Sequence, residues 1–128
     1  MQRILIVEDD IEIQDMLRNY LTDAGYEVVI AEDGVTGIAK FDDTINLVLL
    51  DIMLPKIDGY GVCEVIRQRS QVPIIMLTAL SDEENQIKGF EQQIDDYIPK
   101  PFSPKILLYK IAAIFRRGSS DTQKQTSI

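Results

Sequence analysis

The stretch "LVLLDIMLPKIDG", residues 47–59, runs four apolar residues into an acid, Asp51, and then breaks at Pro55 and Gly59. A strand with one face in water alternates polar and apolar side chains, so an unbroken apolar run reads as a strand covered on both faces. Proline and glycine close behind it mark a turn. The chain thus drives a strand through the protein interior and sets a carboxylate rigidly at its end, on a turn that leaves it open.

Three further runs share this character: "ILIV" (4–7), "VVIA" (28–31) and "IIML" (74–77). The segments between them have a helical period. Ile13, Met16, Leu17, Tyr20 and Leu21 fall at i, i+3, i+4, i+7 and i+8, one apolar face, with Gly25 as the stop signal. Ile38 and Phe41 mark a second helix, Val62, Val65 and Ile66 a third, and Ile87 and Phe90 a fourth. "DYIPKPF" (96–102) reads as a fifth strand, placed at a sheet edge because Pro99 has no N–H to donate. A last helix is expected from Pro104 to about Phe115, with Ser103 as N-cap and Pro104 at the first helical position. This alternation predicts an α/β fold with a parallel sheet and helices on both faces; the expected order of its five strands is 2-1-3-4-5, flavodoxin-like. Residues 1–117 form that domain. "GSSDTQKQTSI" (118–128) holds almost nothing apolar and reads as a polar linker or tail.

Composition fits one soluble domain. The 128 residues are 45% hydrophobic and 27% charged, with no His or Trp. A net charge of −8 argues against nucleic-acid binding by this chain itself, since phosphate contacts draw on clustered Lys and Arg. A cationic ligand suits it better. The single cysteine, Cys63, has no disulfide partner and lies in an apolar stretch, which reads as core packing. No apolar run nears the roughly 18 residues of a membrane span. "MQRILIVEDD" is acidic by residue 8 and has no cleavage pattern, so the expectation is a cytoplasmic protein with no membrane association.

In an open parallel sheet of this order, ligands bind beyond the carboxyl ends of strands 1 and 3. Those ends carry acids: "ILIVEDD" delivers Glu8, Asp9 and Asp10, and "LVLLD" delivers Asp51. Carboxylates crowded together repel by roughly 1 kcal/mol per pair even in a water-like medium. A cation removes that cost. Oxygen donors without His or Cys suit a hard ion, and a few carboxylates plus waters suit Mg²⁺. Strand 4 ends on a hydroxyl, Thr78, and strand 5 on an ammonium, Lys100, both able to address an oxyanion. These are the parts needed to hold a transferred phosphoryl group.

With "ILIVEDD", "LVLLDIMLPKIDG", "PIIMLTA" and "DDYIPKPF" in this order, residues 2–117 resemble the receiver domain of two-component response regulators. The resemblance implies a phosphorylation-activated signalling switch and not a substrate-turnover enzyme, although such domains assist their own phosphotransfer and dephosphorylation. It implies that Asp51 accepts a phosphoryl group from a sensor histidine kinase, and that Glu8, Asp9, Asp51 and the Met53 carbonyl organise Mg²⁺. Thr78 and Lys100 would contact the phosphoryl oxygens, Thr78 and Tyr97 would act as the switch, and the Lys100–Pro101 peptide would be cis.

The chain looks most like the group whose receiver precedes a winged-helix DNA-binding domain. That implies transcription regulation, with DNA reached only through an effector domain absent from this sequence. Gln93 and Ile94 depart from the family's small residues before "DDY", and Gln86 and Ile106 replace the acid–base pair common across the dimer of that group. A homodimer through the fourth helix, fifth strand and last helix is still expected. In the last helix Leu107, Ile111, Ile114 and Phe115 form the core-facing stripe, and Ile106, Tyr109 and Ala113 form a second, roughly 140° away. With Ile87 and Phe90 they make the expected interface. Two other readings share the fold. A flavin binder needs a hydroxyl- and glycine-rich loop after strand 1, where "EDDIEIQ" would repel phosphate, and an aspartyl phosphatase typically needs a second acid where Met53 sits.

Overall fold

The computed structural model describes residues 1–78 and 94–127, with side chains as far as 117. Its strands are β1 (Arg3–Val7), β2 (Glu27–Ala31), β3 (Leu47–Asp51), β4 (Ile74–Thr78) and β5 (Asp96–Pro99). They form one sheet in the order β2-β1-β3-β4-β5, with every neighbouring pair parallel. Helices α1 (Ile11–Asp23), α2 (Gly34–Lys40) and α3 (Gly59–Arg69) connect the strands, and a C-terminal helix spans Pro104–Ser127. The expected helix around Ile87 and Phe90, together with Gln86 and Gln93, lies outside the described residues.

The unbroken apolar runs are explained by burial on both faces of the sheet. Leu5, Val7, Val48, Leu50, Ile74 and Met76 pack against α3 through Tyr60, Val62, Cys63 and Ile66. Their strand neighbours Ile4, Ile6, Leu47, Leu49, Ile75 and Leu77 point the other way, onto Leu17 and Leu21 of α1 and Leu107, Ile111 and Ile114 of the C-terminal helix. Each such side chain contributes roughly 1.5–3 kcal/mol when fully buried. Cys63 is buried, and burial pushes its thiol above the ordinary value, as suits a packing residue. Tyr20, placed by periodicity on the apolar face of α1, is 46% exposed at the margin of that face.

The helix ends are built from local chemistry. Asp10 Oδ1 accepts from the Glu12 and Ile13 N–H groups, at 2.9 and 3.3 Å, and caps α1. After Ala24 the chain passes through Gly25 at φ 95°, where Gly25 donates to the Thr22 carbonyl and Tyr26 to the Leu21 carbonyl. Ser103 Oγ accepts from the Ile106 N–H at the start of the C-terminal helix. That helix continues past Phe115, its expected end, to Ser127. The segment that reads as a tail contains no proline to force a stop. The fifth strand is shorter than expected, ending at Pro99, where the chain turns through a cis Lys100–Pro101 peptide.

Gly59 and Gly25 are required for different reasons. A Cβ on Gly59 would come within 2.8 Å of the Ile52 Cα and would overlap the Asp51 carbonyl oxygen, so β3 could not end where it does. At Gly25 there is open space and only the positive φ resists a side chain. Gly59→Ala is therefore expected to cost about 1–3 kcal/mol through forced backbone movement, and Gly25→Ala about 1 kcal/mol through conformation alone. Urea unfolding of the two variants checks this; a smaller loss at Gly59 than at Gly25 would contradict the steric reading.

Candidate functional site

The register pairs Val7 of β1 with Leu50 of β3, so the residues that follow, Glu8 and Asp51, emerge side by side at one rim of the sheet. Glu8 continues the ladder for one step, its N–H donating to the Ala31 carbonyl at 3.0 Å. Gln14 Nε2 donates to the Glu8 carbonyl at 2.6 Å and pins the same turn to α1. Glu8 is fully buried, Asp51 is 3% exposed and Asp9 is open to solvent. One oxygen from each of these three carboxylates lies within 4.8 Å of the others.

Two negative groups this deep require a partner, and Lys100 supplies it. Its Nζ donates to Glu8 Oε1 at 2.8 Å and to Asp51 Oδ2 at 3.0 Å. The other Asp51 oxygen accepts the Met53 N–H at 3.2 Å, and Glu8 Oε2 accepts the Asp10 N–H at 3.3 Å. The Lys100 backbone is itself anchored, donating to the Thr78 carbonyl at 2.6 Å where β4 ends. Thr78 is buried, and it follows Leu77, which pairs with Asp51. Tyr97 sits half-buried on β5 beside Met76 and packs on the core.

Burial first, then the hydrogen bond and charge of Asp51, raise the Glu8 carboxyl from its ordinary 4.5 to about 7 in spite of Lys100. Burial pulls the Lys100 ammonium down, but its bonds to Glu8 and Asp51 outweigh that and hold it above its usual range. The site therefore carries more negative charge than one lysine balances comfortably. Three carboxylates with no sulfur or imidazole among them fit a hard divalent ion that keeps several waters.

Glu8, Asp9, Asp51, Met53, Thr78 and Lys100 all come to this rim. Asp10 does not join the cluster, because its carboxylate is committed to capping α1. Two features escaped the sequence reading. Lys100 bridges two acids, and a cleft of about 530 Å³ opens beside Asp9, walled by Met53, Pro55, Asp58 and Tyr60. Nothing local marks either one, since both arise between segments far apart in the chain. On the C-terminal helix Ile106 and Tyr109 are 54% and 65% exposed, with Ala113 half-buried. Among the described residues no helix is long and apolar enough to cross a membrane.

A sequence profile of the family described as "Response regulator receiver domain" matches residues 4–112. "Probable transcriptional regulator ycf27" of Cyanophora paradoxa is 48% identical over 127 residues, covering 98% of this chain and 53% of that protein. "Transcriptional regulatory protein CpxR" of Escherichia coli (strain K12) is 41% identical over 127 residues, covering 99% of this chain and 55% of that protein. The chain thus spans about half the length of the curated relatives it matches. Among solved structures, the CheY-like response regulator receiver domain protein from Methanospirillum hungatei JF-1 superposes with a TM-score of 0.88 at 36% identity, covering 94% of this chain and 98% of the other.

The raised Glu8 carboxyl gives a stability prediction with a definite sign. Between about pH 4.5 and 7 folded Glu8 keeps a proton that the unfolded chain has released. Its contribution is therefore full below 4.5 and is lost as pH rises through about 7. With a chelator present, the urea midpoint should fall between pH 5 and 8, and Glu8→Gln should flatten that slope. Equal slopes in the two proteins would contradict the assignment.

Proposed function

The chain belongs to the response regulator receiver domain family, and from that premise we propose that it is a phosphorylation-activated switch in which Asp51 accepts a phosphoryl group from a sensor histidine kinase. One observation carries this reading: Asp51 ends a fully buried strand, its carboxylate is held by Lys100 and the Met53 N–H, and it shares a rim with Glu8 and Asp9. Glu8, Asp9, Asp51 and the Met53 carbonyl are the proposed ligands of Mg²⁺. When bound, Mg²⁺ offsets charge on the phosphoryl oxygens and on the crowded acids.

In the proposed transfer an Asp51 oxygen attacks the phosphorus of a phosphohistidine. The P–O bond forms, the P–N bond breaks, and the imidazole leaves with the electron pair. Lys100, resting 3.0 Å from Asp51, is placed to follow the negative charge onto the phosphoryl oxygens. The Thr78 hydroxyl at the neighbouring strand end donates to the same group, and Tyr97 turns inward as Thr78 moves. Water later attacks the acyl phosphate and returns Asp51 and phosphate. The domain is thus a regulatory phosphoacceptor that assists its own chemistry.

The output is proposed to be transcriptional. Residues 1–117 act as the receiver and 118–128 as the connection to a winged-helix DNA-binding domain outside this sequence, in a cytoplasmic regulator. A surface carrying −8 overall gives no electrostatic footing for DNA, which supports assigning DNA contact to the effector. Dimerisation is proposed through the fourth helix, β5 and the C-terminal helix. An exposed apolar stripe of Ile106 and Tyr109 where a solvated helix should carry charge supports this surface, with Ala113 beside it and Ile87 and Phe90 as the remaining proposed members.

Acetyl phosphate with Mg²⁺ should add one phosphoryl group to the wild type by intact mass. Omitting Mg²⁺ or introducing Asp51→Asn should abolish it, and undiminished labelling of Asp51→Asn would refute the acceptor assignment.

Sedimentation with a phosphoryl mimic and Mg²⁺ should show a dimer at tens of micromolar for the wild type, on the order of 10 µM being accessible to modest interfaces. Ile106→Glu should remain monomeric, and equal dimerisation of both proteins would place the interface elsewhere.

A further inference from the structure

The loop between β3 and α3 carries Met53 and forms the wall of the cleft beside Asp9. Core packing holds it through only two half-buried side chains, Leu54 and Ile57. Ile52 and Gly59 are buried at its two ends, but Met53, Pro55, Lys56 and Asp58 are exposed, and Leu54 and Ile57 are only half-buried. Bonds along and across it supply the rest of its placement. Within the loop, Leu54 and Gly59 both donate to the Ile52 carbonyl, at 3.2 and 2.9 Å.

Its far corner is unusual. Lys56 has φ 71°, a left-handed conformation that glycine accepts freely and a lysine does not. The Ile57 N–H donates to the Pro55 carbonyl at 2.9 Å, closing a three-residue turn around Lys56. A non-glycine residue held in such a turn points to a use for its side chain. That side chain reaches Asp33, with Nζ 3.5 Å from Oδ2.

Asp33 is a firm anchor. It is buried, and its other oxygen accepts the Thr36 N–H at 2.7 Å, capping α2. The backbones meet at the same place. Gly34 donates to the Pro55 carbonyl at 3.5 Å, and a Cβ on Gly34 would overlap the Ile57 carbonyl oxygen. The loop therefore lies directly on the start of α2, with one ion pair across the contact.

We propose that Lys56 and Asp33 form a latch that positions residues 53–57 against α2, and that Lys56 is thereby a positioning residue for metal binding and phosphoryl transfer at Asp51. The proposal rests on the reading of Asp51 as phosphoacceptor. Lys56 touches neither the acids nor Lys100. It acts through the loop: shifting the loop shifts Met53, whose N–H orients Asp51 Oδ1.

An exposed lysine in an ion pair adds little to global stability, and this separates positioning from structural support. Lys56→Gly removes the latch while relieving the left-handed backbone. It should unfold at the same urea concentration as the wild type or a higher one. It should nevertheless bind Mg²⁺ alone about tenfold more weakly by calorimetry, and take phosphate from acetyl phosphate correspondingly more slowly. Asp33→Asn, which keeps the cap, should reproduce the loss. The double variant should be no worse than either single one, and Lys56→Arg should recover to within about twofold. Mg²⁺ affinity and phosphorylation within twofold of wild type in Lys56→Gly would overturn the latch, as would a loss that merely tracks a lowered urea midpoint. A wild type that neither binds Mg²⁺ nor takes up phosphate would instead overturn the phosphoacceptor reading, and the latch with it.

Discussion

Two carboxylates are buried side by side at the end of a parallel sheet, and the rest of the site is organised by what that requires. Glu8 is fully buried and Asp51 nearly so. Placing unpartnered charges there would be strongly unfavourable. Lys100 answers from the far edge of the sheet with bonds to both acids, and Glu8 answers by holding its proton to about pH 7. Neither answer is complete, so the site is poised to take a further cation. A fully neutralised cluster would have no reason to bind a metal or change state, whereas an unneutralised one would weaken the fold.

The sheet makes this arrangement possible because it is rigid where the acids attach. Leu47 to Leu50 are wholly inaccessible to solvent, with alternate side chains packed into separate cores. Asp51 thus inherits a fixed position from its strand. Lys100, by contrast, sits just past an edge strand, its backbone bonded to the Thr78 carbonyl and its side chain to Glu8 and Asp51. The acids are held on the buried centre of the sheet and their counter-ion reaches them from its margin. Tyr97 and Ile106 of the C-terminal helix lie together on that same marginal side.

The loop between β3 and α3 follows the same division. Its ends are buried and its middle keeps only Leu54 and Ile57 against the core, with the Lys56–Asp33 ion pair beside them. Such bonds are cheap to break and therefore easy to tune. Local stability is lowest where a domain must rearrange, and this loop and the β5 edge have few buried side chains to resist movement.

Much was legible in the sequence because the fold is written in short-range signals. Continuous apolar runs report strands buried on both faces, and 3.6-residue periods report the helices between them. Acids at two strand ends, with a hydroxyl and an ammonium at two others, announce a site once the strands are known to be parallel. Other features were not carried by pattern alone. That Asp10 caps a helix while Asp9 faces the cluster, that Tyr20 lies at the margin of its helix face, and that the C-terminal helix runs on through a polar segment are not written in residue type. Nor is the ion pair of Lys100 with Glu8, which joins positions 92 residues apart. Sequence by itself determined the strands, their order of use and the kinds of group at their ends, because backbone periodicity and side-chain polarity are local properties. Tertiary structure alone decided which acids share a centre, which cation balances them and how strongly Glu8 holds its proton, because electrostatic energy depends on through-space distance and burial.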